Sequence, residues 1–238
     1  MNPFAYIRSL IMIVVFPIFT FFVSFFALIE SLTINNRKFE DRIILFWART
    51  TLKLFGVKIV EKGLENIPHK GCLFLFNHTS FFDIFAIHSR IGGVRFGSKI
   101  ELFNIPIFGR AMKNLGVLPI ARKQREKVFQ VYEEAKARAE LGEKFALSPE
   151  GGRNTEERLL PFKAGPFLFA IRSGIPLVPV VIKGAKEILG KKDLIPNVNN
   201  WTSVITVEYL PEIQVDQYTP ENYKELQGKT FDLMKSFF

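Results

Sequence analysis

Residues 72–90 read CLFLFNHTSFFDIFAIHSR, two apolar stretches separated by a short polar one. The first apolar run predicts a β-strand over Cys72–Phe76. After the polar segment, the second apolar stretch predicts a helix over Phe81–Arg90. A strand that leads through a polar loop into a helix is the beginning of a strand–helix–strand unit.

The same alternation continues on both sides of these residues. Its members are predicted strands at Val57–Val60, Val94–Gly97, Val117–Ile120, Phe145–Leu147, Leu177–Ile182 and Ser203–Tyr209, and predicted helices at Pro106–Leu115, Gln124–Leu141, Phe167–Ser173 and Tyr223–Met234. This pattern predicts an α/β fold with a largely parallel sheet flanked by helices, whose ligands bind beyond the carboxyl ends of the strands. Because no repeat or low-complexity linker interrupts it, residues 56–238 are predicted to form one α/β domain.

The first 55 residues have a different character. Ser9–Ile29 is a run of 21 residues without a charge, which is about the length that a bilayer-spanning helix needs. We expect it to be retained, because no small-x-small cleavage site follows it. It either spans the bilayer or, if Pro17 bends or breaks it, dips into one leaflet. The aromatic residues expected to contact lipid are Phe16, Phe19, Phe22 and Phe25.

Arg37–Phe55 predicts a second, amphipathic helix with a cationic side. In one interpretation this helix lies at the membrane surface, with Trp47, Arg42 and Arg49 at the level of the lipid headgroups. In the other, its apolar stripe packs on the main core. Residues 1–55 are therefore predicted to be a membrane-anchoring two-helix segment, and the basic residues after the apolar run place the α/β domain on the cytoplasmic side of the cell membrane.

Composition narrows the classes of partner and of site. The 32 Lys and Arg against 23 Asp and Glu give a net charge of +9, which favours an anionic partner. The apolar run selects an anionic phospholipid membrane over nucleic acid as that partner. One cysteine excludes an intramolecular disulfide, and together with three histidines it makes a Cys/His zinc site implausible, so no metal is expected.

Two loops after predicted strands carry candidate chemistry. In Asn77-His-Thr-Ser-Phe-Phe-Asp83, the carboxylate of Asp83 can fix one nitrogen of His78 and make the other a better general base. Alternatively, Ser80 and Asp83 form a capping-box-like pattern that only closes the helix end. In Ser148-Pro-Glu-Gly-Gly-Arg-Asn154, two glycines allow close approach of a ligand, and Arg153 can bind phosphate oxygens with two hydrogen bonds.

Four segments in this order, NHTSFFD at 77–83, GVLPIAR at 116–122, PEGGR at 149–153 and IPLVPV at 175–180, resemble the ordered motifs of the glycerolipid acyltransferase family. The resemblance covers roughly residues 57–183. It implies a catalytic pair, His78 and Asp83, and basic positions for an acceptor phosphate at Lys99 and Arg153. Arg122 closes the second motif, and Glu150, Gly151 and Gly152 match the third. Many relatives have Thr in place of Gly152 and Phe in place of Ser148, which leaves headgroup selectivity open.

The resemblance implies transfer of a fatty acyl group from an acyl carrier protein or coenzyme A thioester to the position-2 hydroxyl of lysophosphatidic acid, giving phosphatidic acid without a metal or bound cofactor. Glycerol 3-phosphate or another lysophospholipid is the alternative acceptor. A non-catalytic, membrane-anchored lipid-binding protein and a lipid hydrolase that uses His78 to activate water are the alternatives from other classes. Lys163 faces either the donor or solvent.

Overall fold

The computed structural model describes residues 2–121, 124–197 and 199–238, and its strands form one mixed sheet. The strands are β1 (Val57–Lys62), β2 (Leu73–Phe76), β3 (Val94–Lys99), β4 (Leu118–Ile120), β5 (Lys144–Leu147), β6 (Leu177–Lys183) and β7 (Ser203–Tyr209). Their order across the sheet is β1-β7-β6-β2-β5-β3-β4. The neighbours pair in parallel except β6 and β7, which are antiparallel.

The helices are α1 (Pro3–Thr33), α2 (Arg37–Leu54), α3 (Phe82–His88), α4 (Phe108–Asn114), α5 (Arg125–Glu140), α6 (Gly165–Ser173) and α7 (Tyr223–Lys235). Every predicted strand and helix of the α/β layer is present, with ends that differ by at most two residues. The predicted α/β class with a largely parallel sheet is confirmed.

Strand β2 lies between β5 and β6 and supplies two hydrophobic cores. All four of its residues are buried, and successive side chains point to opposite faces of the sheet. Phe74 and Phe76 belong to the core beneath α2 and α3, whereas Leu73 and Leu75 belong to the core beneath α5, α6 and α7. The apolar character of this strand at every position, without alternation, follows from burial on both faces.

The end of β2 is fixed to its neighbour by Asn77. The buried Asn77 side chain accepts a hydrogen bond from Ile182 N at 2.7 Å and donates one to Ile182 O at 2.8 Å. These two bonds continue the β2–β6 pairing by one side chain after the strand has ended. The backbone therefore leaves the sheet in a defined direction immediately before His78.

Helix α1 is by length and composition long and apolar enough to cross a membrane. Its 31 residues span about 45 Å at 1.5 Å per residue. Pro17 lies inside the continuous helix, so it does not break it. Phe22 and Phe25 are exposed on this helix, as lipid contact requires.

Two of the residues expected to contact lipid also pack against protein side chains. Phe16 packs against the rings of Phe55, Phe81 and Phe85, at centroid distances of 5.9–6.2 Å. Trp47 has its ring centroid 4.8 Å from that of Phe85 and donates Nε1–H to Thr20 Oγ1 at 3.1 Å. Both residues thus pack partly on the α/β layer and are only half-buried, and their contact with lipid stays a prediction.

The other predicted contacts on α1 and α2 are more open. Phe19 is half-buried with its ring 5.9 Å from that of Phe46, and Arg42 is exposed. Arg49 is exposed as well and donates its Nε–H to Ser89 O at 2.8 Å. The cationic side of α2 is therefore open to solvent, while part of its apolar stripe packs on the protein. The division of function between residues 1–55 and 56–238 stays a prediction.

Burial of His88 makes the stability of the fold depend on pH. His88 lies on α3 with its ring 4.6 Å from that of Phe96. Burial lowers its pKa to about 3. Because the unfolded chain binds this proton near pH 6.5 and the folded chain does not, stability is present above that pH and is lost as the pH falls towards 3.

We expect His88→Leu to remove this part of the pH dependence. Between pH 7 and pH 5, the free energy of unfolding of the unmodified protein should fall by about 2 kcal/mol more than that of the variant. Urea unfolding in detergent at several pH values measures both curves. Parallel curves would contradict the prediction.

Candidate active site

His78 and Asp83 form a hydrogen-bonded pair at the carboxyl end of β2. His78 Nδ1 lies 2.9 Å from Asp83 Oδ2, and the same oxygen accepts the backbone N–H groups of Thr79 at 2.8 Å and Ser80 at 2.9 Å. The Asp83 side chain is fully buried, while 13% of the His78 side chain is exposed. Only the imidazole can therefore meet a substrate.

The two interpretations of this loop hold at once. Asp83 reaches back to Ser80 N, and Ser80 Oγ accepts the N–H of Phe82 at 3.1 Å, as in a capping box. The shared oxygen of Asp83 also faces His78 Nδ1. A carboxylate at this nitrogen favours the tautomer with its proton on Nδ1, which leaves Nε2 as a proton acceptor.

Glu150 joins the second loop to the first. Its carboxylate accepts His78 N at 3.1 Å, Leu160 N at 3.0 Å and Asn154 Nδ2 at 2.7 Å. Burial raises the pKa of Glu150, and these hydrogen bonds oppose the rise. Asn154 adds a second link, because its N–H donates to His78 O at 2.6 Å. The sequence motif contains Asn154, but nothing in the sequence marks it as the partner of the histidine loop.

A cavity of about 500 Å³ adjoins the pair and has His78 in its wall. This size is typical of small-molecule sites. Ser148, Gly151 and Gly152 line it from the second loop, and Lys163 lines it from the segment before α6. The rest of the wall is largely apolar, formed by Phe76, Ile84, Phe96, Gly97, Ile120, Val128, Phe129, Tyr132, Leu147, Ala164, Gly165 and Pro166. Val128, Phe129 and Tyr132 belong to α5. The many charged residues of this helix indicate a solvated face, so the sequence did not predict that α5 lines a cavity.

A second, smaller cavity of about 100 Å³ lies between the N-terminal helices, α3 and α4. Ile84 and Phe96 line both cavities, so the two are separated by shared apolar side chains. Val23 and Ala27 of α1 line the smaller one. The smaller cavity therefore lies between the region of His78 and the membrane-length helix.

The expected phosphate contacts are not all in the cavity wall. Lys99 is 54% exposed, with its Nζ 3.7 Å from Glu101 Oε1. Arg153 is half-buried. Neither lines the cavity, whereas Lys163, whose role the sequence left open, does. Arg122 lies outside the described residues. In the described part of the chain, no three His, Cys, Asp or Glu side chains cluster as metal ligands would.

A His–Asp pair beside a cavity at the carboxyl edge of an α/β sheet is the arrangement of an enzyme with an imidazole base. A model of the family described as Acyltransferase matches residues 58–183. The chain belongs to this acyltransferase family.

Relatives with similar sequences carry one name. The chloroplastic 1-acyl-sn-glycerol-3-phosphate acyltransferase BAT2 of Brassica napus is 34% identical over 156 residues, which are 65% of this chain and 45% of the relative. The 1-acyl-sn-glycerol-3-phosphate acyltransferase of Haemophilus influenzae is 28% identical over 198 residues, 81% of this chain and 79% of the relative. The chain thus spans less than half of the plant protein and most of the bacterial one.

The fold also has a solved counterpart. The crystal structure of the 1-acyl-sn-glycerophosphate (LPA) acyltransferase PlsC from Thermotoga maritima matches 99% of this chain and 93% of its own chain, with a TM-score of 0.77 and 23% identity. The match includes the N-terminal helices, because it extends over nearly the whole chain.

Replacement of the buried carboxylate that joins the loops should destabilise the protein. Glu150→Gln keeps the size of the side chain but turns one acceptor oxygen into a donor that faces an N–H group. We expect the free energy of unfolding to fall by about 1–3 kcal/mol. Glu65→Gln, at an exposed position, is the matched control and should change it little. Equal stability of the two variants in chemical denaturation would refute the role of Glu150.

Proposed function

We propose that the protein transfers a fatty acyl group to the sn-2 hydroxyl of 1-acyl-sn-glycerol-3-phosphate and so forms phosphatidic acid. The observation that carries this proposal is the 2.9 Å contact between Asp83 and His78, which lines a cavity large enough for a small-molecule substrate. The names of the relatives supply the substrate class.

The proposed reaction needs one base and no covalent enzyme intermediate. His78 Nε2 accepts the proton of the acceptor hydroxyl as its oxygen attacks the thioester carbonyl carbon. The carbon–sulfur bond then breaks, and the thiolate takes the proton from the imidazolium. Asp83 holds the imidazole and stabilises its positive charge through Nδ1. Because the pair is already aligned, little reorganisation is needed at the moment of reaction.

The loops supply further proposed roles. Arg153 and Lys99 hold the acceptor phosphate, with Arg122 as a third basic position. Glu150 shapes the loop, and Gly151 and Gly152 let the backbone come close to the substrate. Gly151 has a φ of +79°, which favours glycine. The donor is an acyl carrier protein or coenzyme A thioester, and no metal or bound cofactor enters the reaction.

One assay separates this function from its alternatives. Purified protein in detergent receives labelled lysophosphatidic acid with acyl carrier protein or coenzyme A thioester, and phosphatidic acid is the expected product. Faster turnover of glycerol 3-phosphate or another lysophospholipid would replace the acceptor. Release of fatty acid alone would favour a hydrolase, and lipid binding without turnover would favour a binding protein.

His78→Ala should abolish acyl transfer while leaving binding of lysophosphatidic acid nearly intact, because it removes the base and not the cavity. Asp83→Asn should lose most but less than all activity. His69→Ala, in an exposed turn outside the cavity wall, is the matched control and should turn over normally. Product formation by liquid scintillation or mass spectrometry measures all three. Wild-type turnover by His78→Ala would exclude the mechanism.

We also propose that the protein sits in the cell membrane with its α/β domain on the cytoplasmic side. The supporting features are the length of α1 and the exposed Phe22 and Phe25, which are 63% and 45% accessible. Arg42 and Arg49 on α2 supply the attraction to anionic phospholipid.

Cysteine labelling tests this placement. Cys72 is buried and its pKa is raised to about 12, so it should not react. Nitroxide labels on Phe22→Cys and Phe25→Cys in liposomes should be accessible to oxygen and shielded from a water-soluble relaxation agent. Leu141→Cys, at a position 89% exposed after α5, should show the reverse. A water-accessible label at Phe22 would contradict the membrane contact.

A further inference from the structure

Lys163 is the one lysine or arginine in the described wall of the larger cavity, and that wall contains no carboxylate. Within the part of the chain that the structure describes, no acidic oxygen lies within 4.0 Å of Lys163 Nζ. The other lysine expected to bind phosphate, Lys99, is outside the wall and near Glu101. Lys163 is exposed, so it places a positive charge at the open side of this cavity, and no described acidic side chain pairs with it.

The backbone beneath this lysine is held in place. Lys163 N donates to Pro149 O at 2.7 Å, which ties it to the glycine loop. The preceding residue, Phe162, packs its ring 5.1 Å from that of Phe231, and its carbonyl accepts Gln227 Nε2 at 2.8 Å. A charge on such a scaffold is placed before any ligand arrives.

The Lys163 side chain passes over the glycine loop. A Cβ atom built at Gly151 would lie 3.5 Å from Lys163 Cγ and 3.8 Å from its Cε. The stem thus lies close to Gly151, in the loop whose Glu150 accepts the backbone N–H of His78.

We infer that Lys163 binds a phosphate group of a substrate at the open side of this cavity. The inference rests on the proposed function. A phosphate that comes against a largely apolar wall loses part of its hydration, and a charge-assisted hydrogen bond compensates for that loss. The phosphate belongs either to the acceptor, as its phosphomonoester, or to the donor, as the phosphates of its coenzyme A or phosphopantetheine arm.

Two substitutions and a control test the charge. Lys163→Met keeps the aliphatic stem over Gly151, and Lys163→Arg keeps the charge. Lys229→Met, at an exposed position of α7 outside the cavity wall, is the matched control. We expect Lys163→Met to raise the Michaelis constant of one substrate roughly tenfold to a hundredfold, with a smaller change in kcat, as loss of a charge-assisted bond predicts. Lys163→Arg should recover most of that loss.

Substrates without phosphate identify the source. If the acceptor phosphate is bound, Lys163→Met should lose the preference of the protein for lysophosphatidic acid over monoacylglycerol. If the donor phosphate is bound, the defect should vanish with acyl-pantetheine in place of acyl-coenzyme A. Identical kinetics of Lys163→Met and Lys229→Met, or a fall in kcat alone, would overturn the inference.

A measurement without turnover separates this inference from the proposed function. Amine acetylation of the full-length protein, followed by mass spectrometry, reports the reactivity of Lys163. Either lysophosphatidic acid or coenzyme A should protect Lys163 and leave Lys229 reactive. Protection in a protein that makes no phosphatidic acid would refute the function and keep the site. Absence of protection by both probes would refute the site.

Discussion

The parallel pairing of β2 with β5 is the constraint on which the site depends. Leu75 of β2 lies opposite Leu147 of β5. Three residues further along the chain from each of them, in the loops after the strands, His78 lies beside Glu150. Two loops that are 72 residues apart in the chain thereby meet at one edge of the sheet. Because β2 is buried on both faces, a shift of register would exchange Phe and Leu side chains between the two cores, and the close packing of both cores opposes this.

The buried carboxylates at this edge show how the fold tolerates charge. Asp83 is fully buried, and three N–H donors meet one of its oxygens. A carboxylate without partners in such a place would be strongly unfavourable. The same hydrogen bonds that compensate its burial also orient the imidazole, so structural and chemical roles coincide in one side chain. Glu150 combines the two roles in a similar way, because its bonds both satisfy its own charge and fix the backbone of His78.

Strand order aside, most of the layer could be predicted from local patterns, since β2 and the other strands are short apolar runs bounded by polar loops. The His78–Asp83 pair followed from a spacing of five residues within one loop. The protein contacts of Phe16 and Trp47 could not be predicted, because helical periodicity identifies an apolar face without telling whether lipid or protein covers it. Arg95 shows a further limit: it is buried and contacts Asp41 and Glu143, partners from distant segments that no local pattern connects.

The packing of Phe16 among Phe55, Phe81 and Phe85 limits how freely the N-terminal helix could be exchanged for another. Phe81 and Phe85 flank Asp83 along the chain, so the first helix packs on the helix that carries the aspartate of the pair. Phe16 thus completes a hydrophobic cluster whose other members lie much later in the sequence. The N-terminal helix is therefore part of the packing around α3. A helix taken from another protein would need an aromatic side chain at the position of Phe16. Without it, the rings of Phe81 and Phe85, on either side of Asp83, would lose this contact.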